Sequence, residues 1–130
     1  MKIILSMLLL VLGFSTFACP DLSGNYECQY EDGTTDMTSV SNSGNVYTLT
    51  DSEGTKSIVA DGQTRRNADE MNERAVCEGN SLIIVASAEM DGVSLKATTK
   101  TQKIDGNLIT DVEVNFNGEI ENSTQVCTAN

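Results

Sequence analysis

Four cysteines, a few close-set carboxylates and the complete absence of histidine bound what chemistry this 130-residue chain can perform. Without histidine there is no Ser-His-Asp or Cys-His machinery, and no side chain whose unperturbed pKa lies near neutrality. Cys19, Cys28, Cys77 and Cys127 are even in number and show no C-x₂-C spacing. They therefore read as disulfide partners rather than as zinc ligands or a thiolate nucleophile. No glycine-rich phosphate loop occurs. Asp69, Glu70 and Glu73 are the densest carboxylates, but their segment is polar. Nothing there would raise the pKa of one member, as an acid/base pair for glycoside chemistry requires. Asp32-Gly33-Thr34-Thr35-Asp36 and Asp51-Ser52-Glu53 offer oxygens at short spacing without the EF-hand pattern, and tight turns use the same residue types. The expectation is a protein that is not an enzyme and holds neither metal nor cofactor.

Residues 1–18 have the form of an export signal. Lys2 is the basic n-region, Ile3 to Leu12 the apolar run and Thr16-Phe17-Ala18 the cleavage site. The apolar run is too short for a spanning helix. Cleavage leaves Cys19 first, which raises the alternative of lipid attachment. Thr16 and Phe17 are poor residues for that signal, so ordinary cleavage is favoured. Residues 19–130 then form one disulfide-containing domain, exported to a periplasm or the medium. The four cysteines permit three connectivities. The favoured pairing ties the ends through Cys19–Cys127 and crosses the sheet with Cys28–Cys77. The rival, Cys28–Cys127, joins the first and last strands across a barrel seam. Each long loop so closed is worth roughly 3–5 kcal/mol.

All 19 acidic residues lie beyond the leader, against a formal net charge of −11 for the whole chain. Such a surface repels phosphate backbones and anionic lipid, which argues against nucleic-acid and membrane-surface roles. It suits solubility outside the cytoplasm and would attract a cationic protein partner.

The elements that carry these residues are strands. Asp91-Gly92, Asp105-Gly106 and Asn117-Gly118 each separate alternating apolar and polar runs, the strongest short-range hairpin signal, because both residues tolerate the positive φ of a type I′ turn. Upstream, Gly24 to Glu31 alternates with Tyr26, Cys28 and Tyr30 on one face. Weaker strands follow over 34–42, 46–51 and 55–60, and the sheet resumes at 75–78. Residues 61–74 break the pattern, hold all three arginines and suggest one or two helical turns over 68–74 capped by Asn67. Asn122-Ser123-Thr124 is a glycosylation sequon inside a strand and reads as incidental.

The fold class is therefore all-β: a single antiparallel up-and-down meander of eight or nine strands, closed into a small barrel, with a two-sheet sandwich as the alternative. Its inward row holds Tyr26, Tyr30, Tyr47, Leu49, Leu95, Val112, Val114 and Phe116. These are the candidate lining residues for a small apolar ligand, should the interior be left unfilled. A packed core with tyrosine hydroxyls at its rim is the competing arrangement.

Leu22-Ser23-Gly24-Asn25-Tyr26-Glu27 resembles the opening Gly-x-Trp motif of lipocalins and related calycin barrels, with Tyr26 in the place of tryptophan. The resemblance implies an up-and-down barrel, its first-strand aromatic plugging the closed end and its open mouth carrying a small apolar ligand. The family's late-strand arginine has no counterpart, since no arginine follows Arg74. Tyr26 to Gly33 is also similar to the Tyr-x-Cys-x-x-Gly opening of periplasmic C-type lysozyme inhibitors, with two extra residues before the glycine. That similarity implies a disulfide from this strand to the C-terminus, which Cys28 and Cys127 could supply, and a cationic lysozyme as partner. No counterpart of the inhibitory loop is found. A bare envelope module is the third reading. A Cys28–Cys127 bond favours the inhibitor, an apolar cavity behind Tyr26 the carrier, and a filled interior with a featureless rim the envelope module.

Overall fold

The computed structural model describes residues 19–130; the leader expected over 1–18 lies outside the described residues. Ten strands follow one another: β1 (Gly24–Gln29), β2 (Thr35–Ser43), β3 (Val46–Asp51), β4 (Gly54–Val59), β5 (Thr64–Arg66), β6 (Asn72–Glu78), β7 (Ser81–Met90), β8 (Val93–Ile104), β9 (Asn107–Phe116) and β10 (Glu119–Ala129). No helix occurs among the described residues, and none is long and apolar enough to cross a membrane. The strands form one antiparallel sheet in the order β4-β3-β2-β1-β10-β9-β8-β7-β6-β5. The expected meander is thus present, with one strand more than foreseen, and it curls into a half-barrel. β1 and β10 pair, while β4 and β5 stand at the two ends of the ladder without pairing to each other.

The three Asx-Gly turns explain why the second half is regular. Asp91 and Gly92 sit at φ 51° and 79°, Asp105 and Gly106 at 51° and 81°, and Asn117 and Gly118 at 50° and 89°. Two successive positive φ values define a type I′ turn, whose twist matches that of the strands it joins. Each such turn sets its hairpin's register without a slip: Met90↔Val93, Ile104↔Asn107 and Phe116↔Glu119 open ladders running the length of β7 to β10.

The expected helical turns over 68–74 are instead a hairpin. β5 pairs with β6 through Thr64↔Arg74, Arg65↔Glu73 and Arg66↔Asn72. Asn67 does act as a cap, but of a loop. Its Oδ1 accepts from the N–H of Asp69 and of Met71, each at 3.0 Å, while its own N–H donates to Met71 C=O at 2.9 Å. That last bond closes the chain back on itself in place of a helical ladder.

In this meander the β1–β2, β3–β4, β5–β6, β7–β8 and β9–β10 turns share one end, called upper here. Residues 19–23 and the other turns share the lower end. The fully packed core lies low. Leu22, Tyr26, Tyr47, Leu82 and Leu108 are buried there with Val40, Ile58 and Ala75. Residues 19–23 cross beneath them as a plug. Tyr26 Oη donates to Leu22 C=O and Tyr47 Oη to Pro20 C=O, both at 2.7 Å, and Leu22 N–H donates to Asn42 Oδ1 at 3.1 Å. Lys103 Nζ adds a bond to Ser23 C=O at 3.1 Å. Each large side chain so buried contributes roughly 1.5–3 kcal/mol, and no buried side-chain nitrogen or oxygen of the described residues lacks a hydrogen-bond partner.

The disulfides are Cys19–Cys77 and Cys28–Cys127, which corrects the favoured pairing of Cys19 with Cys127 and Cys28 with Cys77. Register decides the matter. β1 and β10 are neighbours with Cys28 directly opposite Cys127, so those sulfurs meet across one strand pair. Cys19 sits at the end of the plug and meets Cys77 on β6, pinning the plug to the far side of the sheet. Two disulfides fit an oxidising, exported environment.

Candidate functional site

Directly paired residues of an antiparallel sheet share a face, so the ladders can be followed from the buried end upward. Above Leu82 on β7 come Ile84, Ala86 and Ala88. Ala97 and Leu95 lie opposite the last two on β8, and Val114 and Phe116 lie beyond those on β9. Val112 belongs to the same face, one step lower, opposite Thr99. This apolar face is continuous with the core but leaves it. Leu95, Ala97, Val112 and Val114 are half-buried and Phe116 is 50% exposed. The cause is strand length. β7 to β10 run for ten to twelve residues, whereas β1, β3 and β4 have six each and β5 three. The short strands cover the lower half of the inner face and leave the upper half as an open trough.

A cleft of about 590 Å³ opens between β3–β4 and β5–β6, where the sheet is not sealed. Leu49, Ile58 and Ala75 contribute its apolar lining. Lys56 Nζ on β4 donates to Glu73 on β6 at 3.0 Å, so an ion pair spans the gap that the backbone ladder does not. Asn67 Nδ2 donates to the same carboxylate oxygen at 3.2 Å. Both partners face inward, since Lys56 pairs with Leu49 and Glu73 with Ala86.

The eight lining residues expected from sequence separate into four groups. Leu95, Val112, Val114 and Phe116 come together on the trough, and Leu49 lies in the cleft. Tyr26 and Tyr47 are 1% and 0% exposed and belong to the packed lower core, with their hydroxyls on the plug rather than at a rim. Tyr30 is 45% exposed and takes no part in the core. β1 stops at Gln29, and Tyr30 closes the turn by donating its N–H to Thr34 C=O at 2.8 Å and accepting from Gly33 N–H. The trough's alanines (Ala86, Ala88, Ala97) and the Lys56–Glu73 pair were not among the expected site residues. The alanines follow from register once the turns are placed. The ion pair joins strands that do not neighbour in sequence order and leaves no signal there.

The electrostatics are one-sided. Asp32, Glu53, Asp69 and Asp91 sit in upper turns, and none of the five upper turns contains Lys or Arg. Desolvation, followed by the carboxylates of Asp36, Asp51, Glu53 and Asp32, raises the Tyr30 phenol above its ordinary value. Burial, followed by Asp21, raises that of Tyr47. The aspartates that resembled cation loops serve the turns themselves. Asp32 Oδ1 accepts from Thr34 N–H at 2.9 Å and Asp51 Oδ1 from Glu53 N–H at 2.8 Å. At the lower end, hydrogen bonds from Arg65 and from Gln63 N–H hold Asp61 well below the usual carboxylate range. Among the described residues no three Asp, Glu or Cys side chains gather as a metal site. The described residues present shape, apolar surface and negative potential. No family model matches the chain, and no curated protein matches it.

Proposed function

We propose that this protein is an exported, non-enzymatic binding module that takes a small apolar ligand along the upper inner face of its half-barrel. One observation carries the reading: the row from Ala86 and Ala88 through Leu95 and Ala97 to Val114 and Phe116 stays half-exposed, while the same face below it is fully packed. Exposed apolar surface that is contiguous and concave is where ligands bind. The calycin resemblance supports the reading in outline, although the ligand would lie in an open trough and not behind Tyr26. The test is the intact mass of protein purified from its own host, measured native and then denatured. A native mass greater by a few hundred daltons, lost on unfolding, supports the carrier. Equal masses, together with no uptake of an apolar fluorophore that Leu95→Lys abolishes, would end it.

A second reading is favoured by the Cys28–Cys127 bond, which the lysozyme-inhibitor resemblance implies. The acidic upper turns suit a cationic partner. In-register strands bring these cysteines together whatever the protein does, so the bond supports this reading less strongly than the uncovered apolar face supports the carrier. Inhibition assays against lysozymes separate the two.

A further inference from the structure

β10 has a neighbour along only part of its length. β9 pairs with it from Glu119 to Cys127, but β1 meets it only through Cys28↔Cys127, Glu27↔Thr128 and Tyr26↔Ala129. From Glu119 to Val126 the far side of β10 is therefore a free edge, and every residue there except Gln125 is exposed. The direction of its backbone groups follows from one bond: Asn130 N–H donates to Asn25 C=O at 3.0 Å, toward β1. Along an antiparallel strand every second residue points its N–H and C=O the same way. Ile120, Asn122 and Thr124 thus aim theirs outward, away from β9, with no partner among the described residues.

Natural edges of this length are normally blunted by charged side chains, a proline, a bulge or a covering loop, and on β10 only the charges of Glu119 and Glu121 serve, which oppose a second acidic strand and not a cationic one. β10 contains neither lysine nor proline, and its ladder with β9 is continuous. We propose that this edge docks an extended cationic peptide segment of a partner, which adds to the sheet as a strand beside β10. Charge selects the occupant. β9 and β10 carry Asp111, Glu113, Glu119 and Glu121 and no Lys or Arg. Glu119 and Glu121 stand on one side of β10, so they meet alternate positions of an added strand, while Ile120 meets the residue between them. The fitting segment has Lys or Arg at every second position and β-branched residues between. A second copy of this chain fits poorly, because it would bring a net charge of −11 against the same acidic hairpin. Glu119 and Glu121 pair with Phe116 and Val114 and so border the trough, but the backbone groups that would hold the peptide point away from β9, and the proposal rests on those.

The test uses a labelled hexapeptide, Val-Lys-Thr-Lys-Val-Thr, beside a counterpart with glutamate in both lysine places. Fluorescence anisotropy reads binding and amide hydrogen exchange reads location. The lysine peptide is expected to bind, weakening as salt is added, and to slow exchange at Ile120, Asn122 and Thr124. Asn122→Pro removes one outward N–H without touching the bonds to β9, so it should weaken binding roughly tenfold or more while the far-ultraviolet spectrum stays unchanged. Should that variant fail to fold, the E119Q/E121Q pair supplies the same comparison through loss of the salt dependence. The proposal is overturned by absence of binding, by equal binding of both peptides, or by protection that appears along β4 instead. A peptide-independent dimer that Asn122→Pro dissolves would assign the edge to a second copy and overturn it equally.

Discussion

Opening the Cys19–Cys77 bond should release the plug while leaving the sheet paired. The bond closes a loop across a sequence separation of 58, and Cys28–Cys127 one across 99. Chain-entropy scaling puts their stabilisation at about 4.2 and about 4.7 kcal/mol, nearly equal in equilibrium terms. Their surroundings are not equal. Cys28 and Cys127 are 4% and 2% exposed inside the packed core, whereas Cys19 and Cys77 are half-buried at its margin. A reductant therefore reaches Cys19–Cys77 first. The assay is brief phosphine reduction under native conditions, alkylation of the freed thiols and peptide mapping. Two-thiol intermediates should carry the label on Cys19 and Cys77. The paired variant C19A/C77A, unfolded in urea with the other disulfide intact, should lose about 4 kcal/mol. Hydrogen exchange should then be faster at Leu22 N–H, which donates to Asn42, and little changed along β1 and β10. Labelling of Cys28 and Cys127 first would refute the reasoning. So would a loss under about 1 kcal/mol, since the plug would then be held by packing alone and the loop closure would count for little.

Three further outcomes follow from single contacts. Tyr26→Phe leaves Leu22 C=O buried without the 2.7 Å donor it now has, and should cost about 1–2 kcal/mol in urea unfolding at unchanged m-value. Burial and Asp21 raise the Tyr47 phenol above the ordinary 10.0, so the fold favours its protonated form. Its contribution is complete below pH 10 and declines as pH rises toward the raised value, so thermal midpoints should fall above pH 10 and fall less steeply in Tyr47→Phe. Leu95→Lys places a charge on the half-exposed trough, so it should alter stability by less than about 1 kcal/mol while removing uptake of an apolar fluorophore.

The second half of the molecule was readable because its turns are arithmetic. A type I′ pair at 117–118 forces Phe116 opposite Glu119, and the pairs at 105–106 and 91–92 then bring Leu95 opposite Phe116 and Ala88 opposite Leu95. Four of the eight expected lining residues sit on the face that these registers build. The first half lacks such turns, and there the local pattern failed in identifiable ways. Thr64–Arg66 is a polar three-residue strand that periodicity cannot register, and Asn67 reads equally as a helix cap or a loop cap. Tyr30 continues the alternation of β1 in sequence, but the chain has already begun to turn.

Cysteine pairing failed for a different reason: it depends on which strands neighbour in space. With Cys28 one residue from the end of β1 and Cys127 two from the end of β10, only the β1–β10 pairing makes their contact inevitable, and no property of either strand alone reveals it. The same mismatch of lengths explains both open surfaces. A six-residue first strand cannot cover an eleven-residue last one, so β10 keeps a free edge. Likewise β1, β3 and β4 cannot roof the ten to twelve residues of β7, β8 and β9, so the upper inner face stays a trough. Only carrying β1 past Gln29 until it faced Glu119, with β2 lengthened to match, would close the edge and roof part of the trough together, which makes the shortness of that first hairpin the structural feature on which both binding surfaces depend.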